Sequence, residues 1–183
     1  MSEPTFGDSY KQERYAFLWK TSKVKKMGDA WLEQTYKSEI DREPFYVTFN
    51  KDGKEFTLVN FHAITKSKQP ETEVKYFKLL PALYPKLTLI FCGDFNLPQS
   101  HTVFNPLKSM GYSPLLINQK TTLKKECKGD ECLASEFDNV FYPKSKLTIQ
   151  QSGILHFYKS FATLKEANSI SDHVPIFFQF SLN

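Results

Sequence analysis

Residues 87–96 read Leu-Thr-Leu-Ile-Phe-Cys-Gly-Asp-Phe-Asn, an apolar run that stops at a glycine and is followed at once by a carboxylate. A short run rich in β-branched and aromatic side chains is typical of a strand buried on both faces. Because side chains alternate along extended backbone, Asp94 and Asn96 point the same way and can share one metal ion or one phosphate. An aspartate in a plain glycine turn is the structural alternative. The stretch therefore predicts a central strand, and the rest of the chain has to decide between a site and a turn.

The composition predicts one globular domain over residues 1–183. The chain is 40% hydrophobic and 15% aromatic, which is enough to bury one substantial core, and it is too short to need two. No apolar run approaches the length of a membrane span, so no membrane segment is expected. A net charge of +4 permits a polyanionic partner without requiring one.

The three cysteines exclude a dense disulfide scaffold, and their spacing matches no zinc site. Cys92 ends the apolar run and is expected to be a buried thiol. Cys127 and Cys132 frame a polar loop, where a small disulfide can form in an oxidising compartment. The sequence alone does not decide whether this disulfide forms.

Strand and turn patterns dominate the rest of the chain. Asp52-Gly53 supplies the positive φ angles of a tight hairpin, which predicts paired strands at 45–49 and 55–61. Residues 70–80 carry apolar side chains at helical spacing, which predicts an amphipathic helix that Pro81 ends or kinks. Further strands are predicted at 15–19, 137–142, 153–158 and 174–180, short helices at 103–110 and 162–168, and a loop with some helix at 27–40. This balance predicts an α+β or layered α/β fold.

Polar side chains gather where predicted strands begin or end. Each has an ordinary structural explanation when taken alone, as a core histidine, a turn former or a cap. Because a sheet places such strand ends side by side, we expect the side chains to converge on one rim. The residues concerned are His62, Asp94, Asn96, Asp138, Asp172 and His173.

Two histidines and several carboxylates are the groups that hydrolysis of a phosphodiester needs. A water must lose a proton, the leaving oxygen must gain one, and the charge on the phosphoryl oxygens must be offset. Histidine titrates near neutral pH and suits both proton transfers, especially when a carboxylate holds its ring. Carboxylates with an Asn oxygen suit magnesium or calcium, which prefer oxygen ligands.

Six motifs occur across nearly the whole chain: Ser9-Tyr10-Lys11-Gln12-Glu13-Arg14-Tyr15, Arg42-Glu43-Pro44, Asn60-Phe61-His62-Ala63, Gly93-Asp94-Phe95-Asn96, Asp138-Asn139-Val140 and Ile170-Ser171-Asp172-His173-Val174-Pro175. Together, and in this order, they resemble the endonuclease/exonuclease/phosphatase superfamily. The Gly-Asp-Phe-Asn and Ser-Asp-His pieces are shared widely in the superfamily. The Glu-Arg-Tyr and Arg-Glu-Pro pieces point to its deoxyribonuclease I branch.

The resemblance implies a catalytic set. His62 resembles the family histidine that is paired with a glutamate, which is Glu13 here. His173 resembles the histidine that is paired with an aspartate, which is Asp138 here. Together the two histidines would serve as general acid and base, with Asp94 beside them.

The resemblance also implies binding residues. Asp94 and Asn96 resemble residues that hold phosphate and metal, and Asp172 resembles a metal-site aspartate. Arg42 and, with one extra residue in the motif, Tyr10 resemble contacts to DNA phosphates. The implied cofactor is magnesium or calcium, and the implied partner is DNA.

The implied fold is an α+β two-sheet β-sandwich flanked by helices, with four layers in the order α/β/β/α. The family chain begins earlier, with strands and a metal-binding Gln-Glu that have no counterpart here. We therefore expect residues 1–183 to form the C-terminal two-thirds of the family domain, with one full sheet and part of the other. On this expectation the strand from Leu87 to Phe91 lacks neighbouring strands in this chain. DNA cleavage by this chain is then expected to be impaired. The missing N-terminal part of the domain is expected as a further partner. The resemblance leaves the location open: secretion if the chain follows the deoxyribonuclease I branch, and the cytoplasm otherwise.

Two alternatives remain open at this point. One is a sphingomyelinase or inositol-phosphate phosphatase on the same scaffold, which Arg42 and the pairing of Glu13 with His62 disfavour. The other is a non-catalytic nucleic-acid-binding or protein-binding module. Cleavage of DNA and simple binding of DNA distinguish the alternatives.

Overall fold

The computed structural model describes residues 1–6 and 12–183, which form ten strands and four short α-helices. The strands are β1 (Lys25–Leu32), β2 (Phe45–Lys51), β3 (Lys54–His62), β4 (Leu89–Asp94), β5 (Tyr112–Pro114), β6 (Leu123–Lys128), β7 (Glu131–Leu133), β8 (Asp138–Pro143), β9 (Leu147–Ile154) and β10 (Ile176–Leu182). The α-helices are α1 (Glu71–Val74), α2 (Leu80–Leu83), α3 (Asn105–Ser109) and α4 (Leu164–Ile170). Single 3₁₀ turns lie at Lys66–Lys68, Lys75–Lys78, Thr102–Phe104 and Phe157–Ser160.

Six strands form the main sheet, in the order β1-β2-β3-β4-β8-β5. Only β3 and β4 run parallel within it, and the helical segment that joins them makes this crossover possible. The strands β9 and β10 form a separate antiparallel pair, and β6 and β7 form a small hairpin.

The main sheet is buried on both faces, as the opening stretch predicts. Leu89 and Phe91 of β4 face one core cluster, which contains the helical residue Phe77, and Ile90 faces the other. Phe178 of β10 packs against that second cluster, so the two sheets pack face to face. These observations confirm the α+β two-sheet fold with helices on its outer side.

Strand β4 has both of its neighbours within this chain, so the expectation that Leu87 to Phe91 lacks adjacent strands is wrong. It pairs with β3 on one side and with β8 on the other. The parallel register places His62 beside Asp94, and the antiparallel register places Asp94 beside Asp138. The ends of β3 and β4 and the start of β8 therefore lie at the same level of the sheet.

Gly93 is required by this close packing. Its φ of +139° is rarely adopted by residues with a side chain, and a Cβ built there would lie 1.9 Å from the carbonyl oxygen of Phe61 on β3. The glycine that ends the apolar run is therefore required by the pairing of two strands, and it does not mark an isolated turn.

Three other sequence expectations are wrong. Residues 25–32 form strand β1, whose register shifts between Met27 and Trp31, and this irregularity hides the alternation that predicts a strand. Residues 15–19 form no strand, although Tyr15 is buried and its carbonyl accepts a hydrogen bond from the backbone of Ser2. Strand β9 ends at Ile154, and a 3₁₀ turn follows, so the strand predicted at 153–158 lies too late in the chain.

The helix predicted over 70–80 is divided into α1, a 3₁₀ turn and α2. Pro81 does not end a helix but is the second residue of α2, where it is tolerated because the first turn of a helix leaves its backbone N–H groups unpaired. A disulfide joins Cys127 to Cys132, which resolves the pairing that the sequence left open. None of the helices in the described ranges is long and apolar enough to cross a membrane.

We predict that Gly93→Ala destabilises the fold by at least about 3 kcal/mol, because strained backbone adds to overpacking against Phe61. Urea unfolding of the purified chain measures this loss. The control is Gly53→Ala, where φ is +83° but no atom lies within 4 Å of the added Cβ. Gly53→Ala should lose only about 1–2 kcal/mol of stability, which is the cost of the strained backbone alone. Equal losses in the two variants would contradict the steric argument.

Candidate active site

The rim of the main sheet brings together four of the predicted residues. His62 ends β3, Asp94 ends β4 and Asp138 begins β8, so sheet pairing alone aligns them. His173 reaches the rim through a β-bridge to Thr122. The adjacent Leu123 N–H donates to the carbonyl of Asp172 over 2.6 Å, which fixes the same segment.

On one side of the rim, His62 is held by Glu13. The Nδ1 atom of His62 lies 2.8 Å from Oε2 of Glu13. The other carboxylate oxygen of Glu13 accepts a hydrogen bond from Arg42, which also donates to the carbonyl of Ala63. Arg42 is only 9% exposed, so the structure places this predicted DNA contact behind the glutamate that orients His62.

Tyr15 supports the same side of the rim, a role that the sequence does not reveal. Its hydroxyl accepts a hydrogen bond from the backbone N–H of His62 over 3.2 Å and donates to the carbonyl of Arg42 over 3.1 Å. Burial raises the pKa of Tyr15 well above its usual value, so the hydroxyl keeps its proton. One aromatic side chain thereby ties Arg42 to His62.

On the other side, His173 is held by Asp138. The Nδ1 atom of His173 lies 2.7 Å from Oδ2 of Asp138. This hydrogen bond raises the pKa of His173 to about 9, against the opposing effect of burial. Thr121 also donates to Oδ2 of Asp138, over 2.6 Å, and it is a second residue that no sequence motif marks.

Asp94 lies between the two histidines. Its Oδ2 atom is 3.4 Å from Nε2 of His62 and 3.7 Å from Nε2 of His173. The side chain is 13% exposed, and burial, reinforced by the charge of Asp138, raises the pKa of Asp94. Each imidazole therefore uses Nδ1 to bind its carboxylate and presents Nε2 to the same central oxygen.

Asn96 has a backbone conformation that few residues adopt. Its φ is +52°, which asparagine tolerates better than most side chains. Its N–H donates to Oδ1 of Asp94 over 2.8 Å, and its Nδ2 donates to the carbonyl of Ala63 over 3.0 Å. The backbone N–H and Nδ2 of Asn96 thus both donate hydrogen bonds, while its Oδ1 accepts no hydrogen bond from the described residues.

Two overlapping sets of residues could hold a metal ion. Asp94, Asp138 and His173 offer ligand atoms within 4.8 Å of one another. However, Oδ2 of Asp138 already accepts two hydrogen bonds, so Asp94 with the free Oδ1 of Asn96 suits an oxygen-seeking cation better. Asp172 is exposed and does not join the group found in the described part of the chain. Asp94 belongs to both sets.

Of the nine predicted site residues, Tyr10 lies outside the described residues. Asp172 neighbours His173 and adds to the charges that raise the pKa of that histidine. The remaining members lie at the rim: Glu13, Arg42, His62, Asp94, Asn96, Asp138 and His173.

The chain is similar in sequence to a curated protein from Thioalkalivibrio sp. (strain K90mix) that is named Deoxyribonuclease. The two are 29% identical over 194 residues, which cover 94% of this chain and 52% of that protein. The chain therefore spans about half the length of this relative. No family model matches the chain.

Solved structures share the fold at lower identity. The human Nocturnin catalytic domain with bound sulfate has a TM-score of 0.63 at 16% identity, over 88% of this chain and 61% of that chain. An endonuclease/exonuclease/phosphatase family protein from Bacteroides thetaiotaomicron has a TM-score of 0.62 at 15% identity, over 88% and 67%. These structures show the fold, and with the curated relative they confirm the resemblance that the motifs indicate.

We predict that His173 titrates near pH 9 in the metal-free chain. The raised value means that protonated His173 stabilises the fold. This contribution is complete below the ordinary pKa of 6.5 and is lost as the pH rises through about 9. NMR of the imidazole measures the midpoint, and the signal is assigned by its loss in His173→Asn. Asp138→Asn should lower the midpoint, because it removes the carboxylate. An unchanged midpoint in Asp138→Asn would contradict the assigned cause.

Proposed function

We propose, from the endonuclease/exonuclease/phosphatase fold that the chain shares, that it is a divalent-metal-dependent phosphodiester hydrolase that acts on DNA as an endonuclease. One observation carries the proposal. The carboxylate of Asp94 lies between the Nε2 atoms of His62 and His173, and each ring is held at Nδ1 by its own carboxylate. A phosphoryl group bound at Asp94 would have a proton carrier on either side.

The two histidines have complementary tasks in this proposal. One imidazole accepts the proton of the attacking water, and the other donates a proton to the leaving oxygen. Glu13 and Asp138 hold the rings so that each Nε2 faces the reacting group. Magnesium or calcium, held by Asp94 and Asn96 with Asp172 as a further candidate, would offset charge on the phosphoryl oxygens.

The choice of DNA is supported by the curated relative and by charge. The relative is named Deoxyribonuclease, and 94% of this chain aligns with it. The net charge of +4 suits a polyanion, and Arg42 is proposed to contribute positive charge near the bound phosphate. We also propose that residues 1–183 act as a single domain.

Nicking of supercoiled plasmid DNA tests the proposal. We expect the chain to nick plasmid slowly in magnesium or calcium, in keeping with the impaired cleavage expected above, and we expect nicking to stop when EDTA is added. His62→Asn and His173→Asn should each lower the rate by about a hundredfold or more, because each removes a general acid or base. The rate constant for loss of supercoiled DNA is the measured quantity.

The matched control is His156→Asn, because the ring of His156 bonds to Tyr158 and makes no hydrogen bond to the rim residues among those described, so the rate should be unchanged. DNA binding is measured on the same samples as a function of salt. Salt-sensitive binding without metal-dependent nicking would show a binding module instead. Hydrolysis of sphingomyelin or an inositol phosphate, with no nicking of DNA, would show a sibling enzyme of the same fold.

A further inference from the structure

Thr121 is fully buried beside the pair formed by Asp138 and His173. Its hydroxyl donates to Oδ2 of Asp138 over 2.6 Å, and the same oxygen lies 2.7 Å from Nδ1 of His173. The hydroxyl also accepts hydrogen bonds from the backbone N–H groups of Asp138, over 2.9 Å, and Phe137, over 3.2 Å. Thr121 therefore contacts both the backbone and the side chain of Asp138.

These contacts fix the direction of the Thr121 hydroxyl. A hydroxyl has one hydrogen to donate and two lone pairs. Two backbone N–H groups occupy its acceptor side, so its single hydrogen points to Asp138. Most hydroxyl groups can rotate to suit their surroundings, whereas this one is oriented by the chain itself.

The backbone of Thr121 joins the two segments that carry the pair. Its N–H donates to the carbonyl of Ser135, over 2.7 Å, shortly before β8. Its carbonyl accepts from the N–H of Val174, over 2.8 Å, immediately after His173. The residue thus lies at the junction of the segment with the carboxylate and the segment with the imidazole.

We propose that Thr121 is a positioning residue that holds the carboxylate of Asp138 in the one orientation from which it directs Nε2 of His173 toward Asp94. With two donors on Oδ2, the carboxylate cannot turn without losing a charge-assisted hydrogen bond. The imidazole then keeps its hydrogen on Nδ1 and presents Nε2 to the substrate. This role rests on the proposed function, in which Nε2 of His173 transfers a proton.

The test compares three variants in the plasmid assay. Thr121→Val keeps the shape and removes the hydroxyl, so we expect kcat to fall by about ten- to a hundredfold, the effect of losing one hydrogen bond to a charged group, with KM within about twofold. Thr121→Ser keeps the hydroxyl and should restore most of kcat. Thr57→Val is the matched control, because Thr57 is also fully buried and its hydroxyl bonds to that of Thr48, with no hydrogen bond to Asp138 or His173 among the described residues.

A second measurement does not depend on activity. The Nδ1–H proton of His173 is observed by NMR at fixed pH in the substrate-free chain. This signal should broaden or shift in Thr121→Val and remain unchanged in Thr121→Ser and Thr57→Val. If Thr121→Val does not fold, Thr121→Ala is measured in its place, since it removes the hydroxyl without adding bulk.

The outcomes separate this proposal from the proposed function. An unchanged Nδ1–H signal in the folded hydroxyl-free variant overturns the positioning role. An equal loss of kcat in Thr57→Val overturns it as well, because the effect would then be general loss of packing. If the wild-type chain does not cleave phosphodiesters, the proposed function fails, while the NMR comparison still decides whether Thr121 holds the pair.

Discussion

The close approach of Gly93 to the carbonyl of Phe61 is the constraint on which the site depends. It lets β3 and β4 run side by side to their ends, so that His62 and Asp94 finish at the same level. A slip of one residue in this pairing would turn Asp94 to the opposite face of the sheet, away from both imidazoles. The register of two strands in the middle of the fold thus sets a distance between two functional side chains.

Charge at the rim follows from this geometry. Three carboxylates, on Glu13, Asp94 and Asp138, lie close to two imidazoles and one guanidinium. Arg42 bonds to Glu13, and His173 bonds to Asp138, so Asp94 has only longer contacts with the two imidazoles, 3.4 Å to Nε2 of His62 and 3.7 Å to Nε2 of His173. The raised pKa of Asp94 reflects this position, buried and near a second acid. A bound cation at Asp94 would offset this concentration of negative charge, which binding of a phosphate would otherwise increase.

The sequence predicts the central strand, the hairpin and most of the rim because these depend on local patterns. Residues 87–96 carry both the apolar run and the glycine, and Asp52-Gly53 identifies its turn unaided. Strand β1 escapes prediction because its register shift breaks the alternation. The roles of Tyr15 and Thr121 are not predicted, because both residues act through hydrogen bonds to residues far along the chain. An isolated Tyr or Thr has no spacing that indicates such contacts. The sequence alone does not decide whether Cys127 and Cys132 form their disulfide, because pairing depends on redox conditions as well as on spacing.

The bridge between Thr122 and His173 links parts of the chain that are separated by strands β6 to β9 and by α4. Contacts between distant segments carry a large entropic cost of loop closure and form slowly compared with a hairpin such as β2–β3. The local hairpin can assemble while the second histidine is still far from the rim. A partly folded chain can therefore contain most of the sheet and only half of the proton-transfer pair, so the chemistry depends on completion of the longest-range contacts.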